Sequence, residues 1–288
     1  YLIGRGANDM KSSIAAFVTA VSNFSKINKK FDGSISLLIT GDEEGIAING
    51  TKKVVEYLRK RKEKIDFCLV GEPTNPNKLG EMIKIGRRGS MTGKLSVIGI
   101  QGHVAYPNRA NNPSTALVRI LKELKEIKFD KGTKDFQPTN LEITKINIDN
   151  SADNVIPGLA SASFNIRFNN KHTSYKLKNK INKIIKQICN KNKSKYKIEY
   201  SVSGEAFLTK PNKTTFMIQN TIKRITKIKP KLSTTGGTSD ARFIRKIAPC
   251  LEFGLVGKTM HKVGECVSLS DLKRLTLIYT KILDNYFK

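Results

Sequence analysis

Two adjacent carboxylates, Glu43 and Glu44, follow an apolar run at residues 35–39 in the segment SISLLITGDEEG. The run reads as a buried strand. Neighbouring carboxylates at such a strand end repel each other and cost desolvation energy, which a divalent cation would offset. On an extended segment successive side chains point to opposite sides, so one carboxylate can ligate a metal while the other serves as general base. Asp9, Glu72 and His261 complete a set of one Asp, three Glu and one His at expected strand ends. A donor set rich in oxygen with one imidazole suits a pair of zinc-type ions rather than a cysteine-based structural site. Taken singly, each residue has an ordinary reading: an acidic loop in solvent for Glu43 and Glu44, a helix cap for Asp9, a turn before Pro73 for Glu72, a core histidine for His261.

The elements that must position these groups show in the hydrophobic spacing. A helix is expected over residues 10–24, a strand over 35–39, a helix over 51–61, and a strand over 67–70 that ends in GEPT. That alternation predicts an α/β layer with a mainly parallel sheet, whose functional groups gather at the carboxyl ends of the strands. From Gly89 the pattern becomes strand, helix, strand, strand, helix, strand. Its second helix carries Leu177, Ile181, Ile184, Ile185 and Ile188 at helical spacing. This order predicts an inserted ferredoxin-like α+β domain over 89–203, within a first domain made of 1–88 and 204–288. Helices near 212–226 and 240–246, a strand over 249–254 and a closing helix over 270–287 complete the first domain.

At 288 residues with 39% hydrophobic content, the chain can bury one large core or two smaller ones. The formal net charge of +28 comes with lysines dispersed among Asn and Ile, as solvated faces would carry them. No dedicated nucleic-acid partner is expected, although the field favours an anionic substrate. Cys68, Cys189, Cys250 and Cys266 show no C-x-x-C spacing and read as free thiols. No apolar run approaches a membrane span, so the expectation is a cytoplasmic protein with no membrane partner.

The order of the motifs resembles the M20 family of metallopeptidases and amidohydrolases. The matching segments are GRGANDMK, GDEEGIAINGT, LVGEPT, GRRGSMTG, QGHVAYP, DNVIPG, TTGGTSDARF and MHKVGECV. GRRGS, HVAYP and GGTSDARF point to the family's desuccinylases. The resemblance implies a zinc-peptidase-like catalytic domain and a lid/dimerisation domain. It further implies that Asp9 bridges two zinc ions, with cobalt a possible substitute. Glu44 and His261 would complete one metal site, Glu72 would ligate the other, and Glu43 would be the general base. His103 would donate to the oxyanion across a homodimer interface. Arg87, Ser90, Tyr106, Asn154, Arg167 and Thr238 stand where the family contacts substrate. The substrate implied is a small tricarboxylate, N-succinyl-LL-2,6-diaminopimelate, hydrolysed in lysine biosynthesis.

Three departures qualify the match. The family's early His-x-Asp motif has no counterpart here, since the only histidines are His103, His172 and His261. The chain opens on Tyr1 and reads as roughly the C-terminal three quarters of such an enzyme, with one metal site incomplete. Asp153 and Gly257 stand where the desuccinylases carry asparagine. The alternatives are another M20 deacylase, such as an acetylornithine deacetylase, and a catalytically inactive dimer-forming remnant. Outside the family, Arg167 reads as a surface arginine, Arg87 as part of a solvated turn, and Asn154 as a turn residue.

Overall fold

The computed structural model describes residues 1–288. Helices α1 (Ser12–Ile27) and α2 (Thr51–Lys60) precede strands β1 (Cys68–Val70) and β2 (Met82–Lys84). Then come β3 (Gly89–Ile98), α3 (Pro113–Glu126), β4 (Asn140–Asn147), β5 (Leu159–Phe168), α4 (Ser174–Lys191) and β6 (Lys195–Gly204). The chain closes with α5 (Lys213–Thr226), β7 (Lys231–Ser233), β8 (Cys250–Glu252) and α6 (Leu269–Tyr286). Backbone contacts divide it into two units: Tyr1–Arg87 with Leu208–Lys288, and Arg88–Phe207.

The first unit holds a four-stranded sheet in the order β7-β2-β8-β1. β7 runs parallel to β2, and β8 parallel to β1. β8 and β2 meet antiparallel at Glu252 and Lys84. Its core joins Ala16 and Ala20 of α1 to Ile83, Leu251 and Phe253 of the sheet region and to Leu275 and Ile278 of α6. Phe17 stacks on Tyr279 with ring centroids 4.0 Å apart, and the Tyr279 hydroxyl donates to the Phe253 carbonyl at 2.6 Å. Each fully buried aliphatic or aromatic side chain contributes about 1.5–3 kcal/mol.

Residues 35–39 do not form the buried strand that their apolarity predicts. No strand pairs with them, and Leu37, Leu38 and Ile39 are 45%, 43% and 59% exposed. A strand needs a neighbour to satisfy its N–H and C=O groups, and none of the described strands lies alongside. The other expected elements occur within a few residues of their sequence bounds. The exception is the helix expected over 240–246, which shortens to Ala241–Ile244.

The four-stranded sheet of the second unit is antiparallel throughout, in the order β6-β3-β5-β4. That order, with α3 and α4 sharing one core with the sheet, is ferredoxin-like. Met91 and Leu95 of β3, Leu117 and Ile120 of α3, Phe164 and Ile166 of β5, and Ile181 and Ile185 of α4 are essentially inaccessible. Gly93 of β3 lies opposite Phe164 of β5, and a Cβ on Gly93 would overlap that ring. The glycine therefore lets the aromatic lie flat across the sheet.

Candidate metal centre

Asp9 sits in a tight turn just before α1, entered through Gly6 at φ 78°. The Asn8 side chain donates to the Val256 carbonyl at 2.7 Å and to the Thr259 hydroxyl at 3.0 Å. These bonds fasten the turn to the segment that leads into His261. Glu43 and Glu44 lie in a turn rather than on the extended segment first expected. Asp42 shapes that loop by accepting from the Ile48 and Asn49 N–H groups at 2.6 and 2.9 Å. The turn, not strand alternation, sends the two carboxylates different ways.

Three of the expected ligands converge. His261 Nε2 lies 2.9 Å from Glu44 Oε1 and 3.2 Å from Asp9 Oδ2. One donor atom from each of Asp9, Glu44 and His261 falls within 4.8 Å of the others. Glu72 follows β1 and stands outside that trio. Its turn packs tightly: a Cβ on Gly254 would strike the Gly71 and Glu72 carbonyl oxygens, and one on Gly71 would come within 2.7 Å of Ser13.

The electrostatics of this region favour an added cation. Burial pushes the Glu72 carboxyl up to about 9, reinforced by Glu252, Asp9 and Glu43. Burial pushes Glu43 up to about 7, with Asp240 adding to the rise and Arg242 opposing it. Burial and Glu44 raise Asp9, while His261 works the other way. In all three burial is the larger cause and neighbouring carboxylates the smaller, and a cation held among them would offset both. Two carboxylate oxygens and one imidazole nitrogen at these separations fit a zinc-type ion with an open position.

Arg87 is not the solvated turn residue that its glycine-flanked context suggests. It is buried in a short strand, Gly86–Arg87, and its Nε donates to both Glu252 oxygens at 3.0 and 3.1 Å. Its Nη2 also pairs with Glu252, and its Nη1 donates to the Thr235 carbonyl at 3.2 Å. Its donors are thus engaged within the protein. Ser239 also donates to Glu252, at 2.8 Å. Thr238, next to Ser239, is half-buried in a loop.

The remaining expected site residues belong to the second unit. His103 is exposed, on a two-residue strand that pairs with Val155–Ile156. Its Nδ1 accepts the Ala105 N–H at 3.1 Å, which places the ring proton of neutral His103 on Nε2. Tyr106 packs edge-on to His103, and Arg109 covers its ring at 5.2 Å. The Asn154 carbonyl accepts the Val104 N–H at 3.0 Å, which brings Asn154 to the same corner. Arg167 is half-buried on β5, opposite Ser90 of β3. Burial lowers its pKa; burial and the charge of Arg167 lower that of Arg88.

Residues 1–285 match the model of peptidase family M20/M25/M40. The chain belongs to this family. Among its M20 relatives, the succinyl-diaminopimelate desuccinylase of Pelagibacter ubique (strain HTCC1062) is 79% identical over 287 residues, covering 100% of this chain and 75% of that protein. The succinyl-diaminopimelate desuccinylase of Parvibaculum lavamentivorans is 51% identical, covering 99% and 72%. Solved structures share the fold. A Staphylococcus aureus tripeptidase superposes with a TM-score of 0.78 at 18% identity, covering 97% of this chain and 71% of its own. Human carnosine dipeptidase 1 gives 0.69 at 18% identity, covering 97% and 72%.

Sequence reasoning assigned no role to Glu252, Asp240, Arg242, Asn8 or Glu265, which neighbour the expected ligands Glu72 and Asp9 and the expected base Glu43. Asp240 and Arg242 lie inside the TTGGTSDARF motif. Glu252 gives no sign beyond being an acid in an apolar strand, CLEFG.

Proposed function

We propose that this chain is a metal-dependent amide hydrolase that cleaves N-succinyl-LL-2,6-diaminopimelate into succinate and LL-2,6-diaminopimelate. This is a step in the synthesis of diaminopimelate and lysine. The substrate rests on the 79% identity to a relative of that name. The chemistry rests on one observation: Asp9, Glu44 and His261, the last two far apart in the chain, converge within 4.8 Å, with Glu43 the sequence neighbour of Glu44.

Asp9, Glu44 and His261 would hold one zinc ion, and Asp9 with Glu72 would offer two oxygens toward a second; cobalt would be an acceptable substitute. A bound ion of this kind supplies Lewis-acid polarisation and an acidified water. Glu43 takes a proton from the attacking water and later returns it to the leaving nitrogen. The C–N bond breaks, the water oxygen stays with succinate, and the returned proton gives a neutral amine. The remaining proton of the water passes from the new carboxylic acid to that amine, to leave succinate and an ammonium group. His103, with its Nε2–H free to donate, stabilises the oxyanion, and does so from the second copy in a homodimer.

Arg167, Ser90, Tyr106, Asn154 and Thr238 contact the substrate, Arg167 being the carboxylate-binding group. Arg87 contributes by holding Glu252. No helix of the protein is long and apolar enough to cross a membrane, and the setting that suits a biosynthetic enzyme of this kind is the cytoplasm.

The test is an assay of the native protein on N-succinyl-diaminopimelate and on N-acetylornithine. Activity should favour the succinyl substrate, vanish on chelation and return with zinc or cobalt. Undiminished turnover after complete metal removal would defeat the proposal, and preference for the acetyl substrate would reassign the specificity.

A further inference from the structure

Glu265 has almost no access to solvent: its side chain is 1% exposed. Its Oε1 accepts the backbone N–H of Asn8 at 2.8 Å and of Asp9 at 3.0 Å. Its Oε2 has no hydrogen-bond donor and faces Arg5 Nη1 at 3.5 Å. The backbone already joins the same two segments, because Leu2–Ile3 pairs with Cys266–Val267 and the Gly4 N–H donates to the Glu265 carbonyl at 2.9 Å. Burying a carboxylate merely to tie two strands that are already paired would cost desolvation energy with little return.

What the side chain adds is specific. Asp9, at φ −122° and ψ 92°, and Met10 after it both leave the helical conformation, so no regular helix ladder fixes the Asp9 N–H. Glu265 takes up that N–H on the residue whose carboxylate lies 3.2 Å from His261. Arg5 reaches Glu265 at 3.5 Å and Glu44 at 3.8 Å, and so links the holder of Asp9 to a second member of the cluster.

We infer that Glu265 is a positioning residue for the cation site. It acts through the backbone of Asn8 and Asp9 to set the Asp9 carboxylate against Glu44 and His261. This rests on the reading of those three residues as metal ligands. Partners that orient metal ligands from behind typically cost 10–100-fold in metal affinity or activity when replaced.

Two variants separate reach from charge. Glu265→Gln keeps an acceptor oxygen at full length and loses the charge. Glu265→Asp keeps the charge and withdraws the oxygen by one methylene. Zinc affinity, measured by competition with a chromophoric chelator, should stay within about threefold of wild type in Glu265→Gln and fall about tenfold or more in Glu265→Asp. Hydrogen exchange of residues 6–11 in the metal-free protein provides a second readout. It should accelerate about tenfold in Glu265→Asp and little in Glu265→Gln. Wild-type affinity in the Asp variant, or a Gln variant as weak as the Asp variant, would overturn the inference. If the wild-type protein bound no zinc, the metal reading itself would fail, and the exchange ranking would still decide whether Glu265 holds this turn.

Discussion

Glu43 and Glu44 are neighbours in sequence but differ in environment. Glu44 is hydrogen-bonded to His261, while the charges acting on Glu43 are chiefly those of Asp240 and Arg242. Glu43→Gln should therefore keep zinc bound and lose most of the turnover. The amide is nearly isosteric but cannot accept the water proton, and loss of a general base commonly costs ~10²–10⁴-fold. Zinc titration beside a turnover assay checks this, and near-normal turnover with full zinc would exclude Glu43 as the base. Arg87 and Glu252 raise a different question, that of stability. Arg87→Met would leave Glu252 buried with Ser239 as its remaining side-chain partner. Breaking a buried ion pair from one side costs about 3–5 kcal/mol. Urea unfolding should show such a loss, and adding Glu252→Gln should recover part of it. An unchanged midpoint would mean that the pair contributes nothing.

At the level of elements, the connection between α3 and β4 is held by one carboxylate. Asp130 accepts from the Gly132 N–H at 2.6 Å, the Thr139 N–H at 3.2 Å and the Asn169 amide at 2.6 Å, and lies 3.0 Å from His172 Nε2. Burial alone would raise its pKa, but the hydrogen bonds from Thr139, Gly132 and Asn169 outweigh it and hold Asp130 well below the usual carboxylate range. The unfolded value is about 3.9, so this stabilisation is fully present above that pH and is lost as pH falls through the lower folded value. Asp130→Asn should lower stability at neutral pH by about 1.5–3 kcal/mol. It should also flatten the decline of wild-type stability between about pH 5 and pH 2. Parallel pH profiles for the two proteins would refute this. Within the sheet, Gly93→Ala would force a Cβ into the Phe164 ring. Overpacking of this kind costs about 1–3 kcal/mol in thermal or urea unfolding, and a negligible change would show that the ring moves aside freely.

At the scale of the whole molecule, the proposed chemistry draws on residues of both units: Glu43 in one, His103 in the other. If His103 serves the partner's site in a homodimer, two inactive variants should complement each other. A His103→Ala protein mixed with a Glu43→Gln protein should recover part of the wild-type activity, because each heterodimer would hold one intact composite site. Mass spectrometry can confirm that subunits have exchanged. Exchange without recovered activity would count against a trans-acting His103.

Helix α4 is legible in the sequence because periodicity is local: Leu177, Ile181 and Ile185 recur on one face whatever the rest of the chain does, and all three are buried. The strand–helix order of residues 89–204 is legible for the same reason. Residues 35–39 mislead because apolarity indicates a strand only where a neighbour offers hydrogen-bond partners. Asp9, Glu44 and His261 can be named from their motifs, but their convergence is a tertiary fact, for 217 positions separate Glu44 from His261. The two arginines of GRRG look alike in sequence. Only the fold decides that Arg87 is buried against Glu252, 165 positions away. Glu265 is the extreme case. It is an ordinary acid beside Cys266 and Val267, and it gains its significance from two N–H groups that lie 256 and 257 positions earlier in the chain. Local spacing sets which elements form, because their hydrogen bonds and side-chain periods close over a few residues. Which charges meet, and at what burial, depends on contacts across the whole chain, and those the tertiary structure alone decides.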